Sequence, residues 1–175
     1  MNIDLQTKNI VKTKLEQRGN EYKIKAPVTG SVVLNNAVVA SFGDGSLRFF
    51  GLNQEPFEVK AHKGVILTMS SNGQFVYTGG DDGKFLKISS DGQVNEIYNF
   101  GSQWVDCVAS TENYFACSSG KKAYLWVNED SKPLIMDNSS TVGGLSFDLE
   151  GNKLAVSSYG GVTVWQRGDR RWKSS

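Results

Sequence analysis

The chain has 175 residues, 39% of them hydrophobic, with 19 glycines, two cysteines and a formal net charge of +1. Such a length supports one domain with a real core or a few small repeated units, and the glycine share exceeds the ~7% usual in soluble proteins, as many tight turns require. The near-neutral charge argues against a polyanion as ligand, Cys107 and Cys117 cannot make a disulfide framework, and no apolar run approaches the ~18 residues of a membrane span.

Met1 to Lys8 has no apolar core of a secretory signal, so a reducing cytoplasm is the expected compartment. Residues 1–18 mix charges with scattered apolar side chains and read as an N-terminal extension, closed by a turn at Gly19-Asn20. Tyr22 to Ala26 alternates apolar and polar residues with period two, the pattern of a half-buried strand, and Pro27 limits its pairing. Three short strands follow, Val28 to Leu34, Ala37 to Phe42 and Leu47 to Phe50, separated by Asn35-Asn36 and by Gly43-Asp44-Gly45.

A second unit opens at Ala61-His62-Lys63-Gly64 with a strand whose inward side chains are expected to be Val65, Leu67 and Met69. Turns at Ser71-Asn72-Gly73, Asp81-Asp82-Gly83 and Asp91-Gly92 then separate Phe75 to Thr78, Phe85 to Ile88 and Val94 to Tyr98. An Asp-Gly pair between apolar runs is a strong hairpin signal, because Gly accepts the positive φ of a tight turn. The third unit repeats the order with Val105, Cys107 and Ala109, then Tyr114 to Ser118, Ala123 to Val127 and Pro133 to Met136. A fourth runs Val142 to Phe147, Lys153 to Ser157 and Val162 to Trp165, after which residues 167–175 read as a polar tail without a strand.

Subtraction fixes the period. Phe50, Ile88, Trp126 and Trp165 end the third strands at separations of 38, 38 and 39, and the turn positions Gly45, Gly83, Lys121 and Gly160 give the same intervals. Regular short strands with no helical periodicity between them exclude a βαβ fold. They predict an all-β β-propeller of four-stranded antiparallel blades, about 19–60, 61–98, 99–136 and 137–166.

The second unit resembles a WD40 repeat. Ala61-His62 stands where the Gly-His pair of that family stands, Thr78 at its second-strand Ser/Thr, Asp82-Gly83 at its tight turn and Ile88 at the Trp of its Trp-Asp pair. Trp126 and Trp165 restore the Trp in the next two units, but Val127 and Gln166 follow, so the signature Asp is missing. The resemblance covers residues 20 to 166 and implies a structural hydrogen-bond network of His62, Thr78 and Asp82. It also implies a non-enzymatic scaffold that binds other proteins, with no cofactor or metal, no nucleic acid and no membrane.

The other candidates favour bland chemistry. His62 with Asp82 has the members of an acid–base dyad, but no nucleophile accompanies them. Gly79 to Gly83 lacks the Lys-Ser/Thr of a phosphate loop and the full ligand spacing of a calcium loop. Arg167, Arg170, Arg171 and Lys173 read as a solvated end. Trp104, Asp81 and Tyr159 fall in rim loops and are the candidate protein-interaction residues. The alternative function is a small-ligand-binding or hydrolytic propeller using the central channel, whose strand starts carry Thr29, Lys63, Gln103 and Thr141. Four units are few for a ring that usually has seven. The expectation is a partial propeller lacking about three blades, or on the order of 120 residues, with self-association through its open blade edges. A four-blade ring closed by Tyr22 to Ala26, and a ring completed by two chains, are the competing arrangements.

Overall fold

A computed structural model describes residues 11, 13–14, 17–51, 54–168 and 172–174. Most of the predicted extension 1–18, and Arg170 and Arg171 of the basic end, therefore lie outside the described residues.

The described chain forms four antiparallel sheets, each built from four consecutive strands in sequence order. Blade 1 contains β1 (Val28–Leu34), β2 (Ala37–Phe42), β3 (Ser46–Gly51) and β4 (Phe57–Lys60). Blade 2 contains β5 (Ile66–Ser71), β6 (Val76–Gly80), β7 (Lys84–Ile88) and β8 (Val94–Asn99). Blade 3 contains β9 (Cys107–Ser110), β10 (Phe115–Ser119), β11 (Lys122–Trp126) and β12 (Leu134–Asp137). Blade 4 contains β13 (Val142–Phe147), β14 (Lys153–Ser158), β15 (Gly161–Arg167) and β16 (Trp172–Ser174).

Each blade is too thin to bury both of its faces, so the interior lies between blades. Leu34, Val39, Leu47 and Phe49 of blade 1 meet Ile66, Val76, Leu86 and Ile88 of blade 2. Tyr77 and Phe85 meet Val108, Phe115, Cys117 and Trp126 at the second junction. Tyr114, Ala116, Leu125 and Met136 meet Val142, Leu154 and Val156 at the third. The first strands pack in succession, β1 on β5, β5 on β9 and β9 on β13, but β13 does not return to β1. The propeller is thus an open arc.

The turns explain why the connections are so short. Gly45, Gly83 and Gly160 hold φ of +79°, +76° and +98°, a region that costs other residues about 1–2 kcal/mol. At Gly45 and Gly83 a Cβ would also overlap backbone oxygens of the following connector, His62 O and Gly101 O respectively. That connector is hydrogen-bonded to the turn at every junction. His62 N–H donates to Gly45 O (3.0 Å), Phe100 N–H to Gly83 O (2.8 Å) and Asn138 N–H to Lys121 O (2.9 Å).

Three expectations need correction. Residues 22–26 form no strand and complete no blade: Tyr22 lies against Phe50 with ring centroids 4.9 Å apart, and Pro27 O accepts from Gly43 N–H. They do not close a four-blade ring. The polar end does contain a strand, since β16 pairs with β15 through Arg167 and Trp172 and so gives blade 4 its fourth strand. Finally, the simple alternation over Val65, Leu67 and Met69 fails because the ladder shifts between Ile66 and Thr68. Ile66 is the fully buried residue, and matching shifts occur at Val28/Gly30 and Val142/Gly144. An extra residue in an edge-type pairing re-aims every side chain after it.

Candidate functional site

His62 sits in the connector between β4 and β5, Thr78 is the central residue of β6, and Asp82 lies in the turn between β6 and β7. The sequence places them together because the connector is bonded onto the blade 1 turn, which presses the imidazole against the top of blade 2. Gly80 makes room for it, since a Cβ there would strike the ring at Nδ1. His62 Nδ1 lies 2.8 Å from Asp82 Oδ1, and Nε2 lies 2.8 Å from Thr78 Oγ1.

These distances assign the proton. Ionised Asp82 can only accept, so Nδ1–H donates to it, and Nε2 accepts from the Thr78 hydroxyl. Asp82 also receives Lys63 N–H at 2.9 Å and Lys84 N–H at 3.2 Å. The carboxylate therefore ties connector, turn and β7 into one unit. Burial holds the His62 pKa below its ordinary 6.5 despite the opposing pull of Asp82. Burial raises the Asp82 carboxyl, but the hydrogen bonds from His62 and from the backbone of Lys63 outweigh it and leave its pKa below 3.8. Both imidazole nitrogens are thus engaged, and the side chain is sealed from solvent. The geometry braces a neutral imidazole and leaves no face of it for a substrate.

The remaining candidates lie apart. Trp104 is 59% exposed in the connector between β8 and β9, and Tyr159 is 93% exposed in the turn between β14 and β15. Asp81 is half-buried beneath Gly64, and its Oδ1 has no hydrogen-bond partner among the described residues. Connectors and second turns all open on the same rim, so the three residues share it. The sequence reading passed over two other exposed apolar features. Leu149 is fully exposed at the opposite rim, and Tyr98 meets Phe100 at a tilt and stacks on Tyr124. Tyr98 could have been found as the aromatic on the exposed edge strand β8.

Cys107 and Cys117 are free, and the ladder pairs Cys107 with Ser118 and Cys117 with Val108, so they do not oppose one another. Burial pushes both thiols up, more so at Cys117, which suits small apolar side chains rather than reactive ones. At the channel, Thr29 Oγ1 is bonded to Ser41 Oγ at 2.9 Å, and Ser70 to Ser110 across the second junction at 2.8 Å. No group of three or more His, Cys, Asp or Glu side chains able to hold a metal occurs among the described residues.

Residues 54–86, from the approach to β4 through most of β7, match the family model described as "WD domain, G-beta repeat". They include all three members of the network. One repeat of the chain therefore matches the WD40 family. Solved structures agree at the level of fold. The RRP9 WD40 repeats align with TM-score 0.69 and 14% identity, over 87% of this chain and 52% of that one. A chain of the Mitotic Checkpoint Complex aligns with TM-score 0.73 and 12% identity, over 89% and 52%. The computationally designed Ika4 protein aligns with TM-score 0.69 and 21% identity, over 86% of this chain and 99% of that one. The arc therefore spans about half the length of the first two and nearly all of the third. No curated protein matches it in sequence.

Two outcomes follow from the network. Asp82→Ala is expected to lower unfolding free energy by about 1–3 kcal/mol, because it leaves His62 Nδ1–H and two backbone donors without their acceptor. Urea denaturation measures this, and an unchanged midpoint would contradict it. The second concerns pH. The unfolded imidazole takes up a proton near pH 6.5, which the folded one resists, so stability is full above that value and falls as pH drops through it. Denaturation midpoints from about pH 7.5 to about pH 5 should show this slope, and His62→Gln, removing the only histidine, should flatten it.

Proposed function

We propose that this chain is a non-enzymatic scaffold of the cytoplasm whose connector rim binds other proteins. The observation that carries the reading is the division of labour on that rim. The one His–Asp pair is sealed and braces the backbone, while the large aromatics Trp104 and Tyr159 stand out into solvent. Exposed aromatics presented on a rigid framework serve as anchors in protein interfaces, since they bury much area at little conformational cost. At Trp104 rigidity comes from the connector's hydrogen bonds to blade 2, Phe100 N–H to Gly83 O and Val105 N–H to Gly80 O.

The fold supports the same reading. WD40 propellers commonly mediate protein–protein contacts, and a chain of the Mitotic Checkpoint Complex, a multiprotein assembly, shares this architecture. Two free thiols, one buried and one half-buried, are compatible with the reducing compartment proposed here.

Affinity purification from cytosolic extract, compared between the natural chain and Trp104→Ala and Tyr159→Ala variants, tests the proposal. Both side chains are exposed, so melting temperatures should be unchanged, while recovery of a specific partner should fall about tenfold or more for at least one variant. Equal recovery from all three chains, or turnover of a substrate by the purified protein, would overturn the reading.

A further inference from the structure

The repeat period allows each blade position to be compared across four environments. Cross-strand pairs on the face that looks back along the chain are Val38–Phe50, Val76–Ile88, Phe115–Trp126 and Leu154–Trp165. Val76, Ile88, Phe115, Trp126 and Leu154 are buried against the preceding blade, whereas Val38 is 47% exposed, with Val33 beside it at 65%. Tyr22, half exposed itself, reaches Phe50 but leaves the two valines bare. On the face that looks forward, the corresponding positions are Leu47, Phe85, Ala123 and Val162. The first three are completely buried, and Val162 is 63% exposed, flanked by half-buried Ala155 and Val164. Each end of the arc thus presents residue types that are interior at every internal junction.

The hydrogen-bonding groups repeat in the same way. The turn carbonyls of Gly45, Gly83 and Lys121 each accept an N–H from the next connector. Gly160 holds the same position in blade 4, and its carbonyl accepts nothing among the described residues. At the other end, Lys23-Ile24 stands one period before Ala61-His62, the donors to Gly45 O. One end therefore offers an unfilled acceptor and the other the matching connector. The surface that fits either end is another blade face.

We propose that two copies of this chain close one ring. The open face of blade 4 in each copy packs on the open face of blade 1 in the other, and Lys23-Ile24 of one copy docks on the Gly160 turn of its partner. The size of the arc favours a second copy as the occupant. The aligned part of the arc covers about half of each WD40 chain it resembles, so two arcs supply enough blades, eight in all, for one ring. A designed chain of the same four-blade extent has this fold. Because the ring uses both end faces of each copy, the assembly stops at two.

The test is the mass of the full chain in solution across a concentration series, by light scattering after size-exclusion chromatography. The expected result is a species of twice the 19.2 kDa chain mass. Val38→Glu and Val162→Glu, one at each end face, should each convert it to monomer while far-UV circular dichroism and melting remain those of a folded β-protein. Leu149→Glu, at a fully exposed position off both faces, should leave the dimer intact. Trp104→Ala should also leave it intact, which separates this proposal from the rim-binding one. A natural chain that is monomeric at every concentration, masses that climb beyond two copies, or a dimer that survives both end-face substitutions would overturn it.

Discussion

Face-to-face burial between successive four-stranded blades supplies the interior of this molecule, because no single blade is thick enough to have one. The three apolar clusters coincide with the three junctions, and each draws comparable numbers of large side chains from both sides. Burying a Val, Leu, Ile or Phe side chain is worth roughly 1.5–3 kcal/mol, so a junction outweighs any single polar contact at its edge. Stability in such a molecule is a sum of blade terms and nearest-neighbour junction terms. The ends of the arc, each with one face uncovered, follow from the same constraint.

Polar chemistry is secondary to that burial and depends on it. His62, Thr78 and Asp82 can be sealed together because the connector is already held on the blade 1 turn and because Gly80 has no Cβ to block the ring. Inside the seal every strong donor and acceptor of the triad is matched, and the imidazole stays neutral. The later junctions manage without a histidine. The second is filled by aromatics, with Phe85 against Trp126 at 5.4 Å and Phe115 parallel to Trp126 at 6.2 Å. One architecture is therefore held by different local means in adjacent blades, which is why its sequence signature fades along the chain.

Much of the fold is legible in the sequence because turns and third-strand termini are punctuated by glycine and by large apolar residues at a constant interval. The network was legible for a related reason, since His62, Thr78 and Asp82 sit at fixed places relative to those turns. What escaped has physical causes. The ladder shift after Ile66 follows from how a first strand bends toward the channel, and alternation alone does not encode it. β16 is three residues long in a charged run, and Trp172 joins the core only because Tyr114 across the junction and Phe147 of its own blade both meet its ring. Tyr22 to Ala26 alternates like a strand, yet the outer edge of blade 4 is already taken by β16. Exposure of Trp104 and Val162 depends on which neighbours are present, a property of the arc rather than of any local pattern.

Amide hydrogen exchange, followed at a concentration low enough to keep the chain monomeric, addresses the central claim most directly. If junction burial sets stability, amides of β6, β7, β10 and β11, whose blades are covered on both faces, exchange slowest, and those of β2, β3, β14 and β15 in the end blades exchange faster. Equal protection of all four blades, or greatest protection in blade 1 or blade 4, would contradict the account.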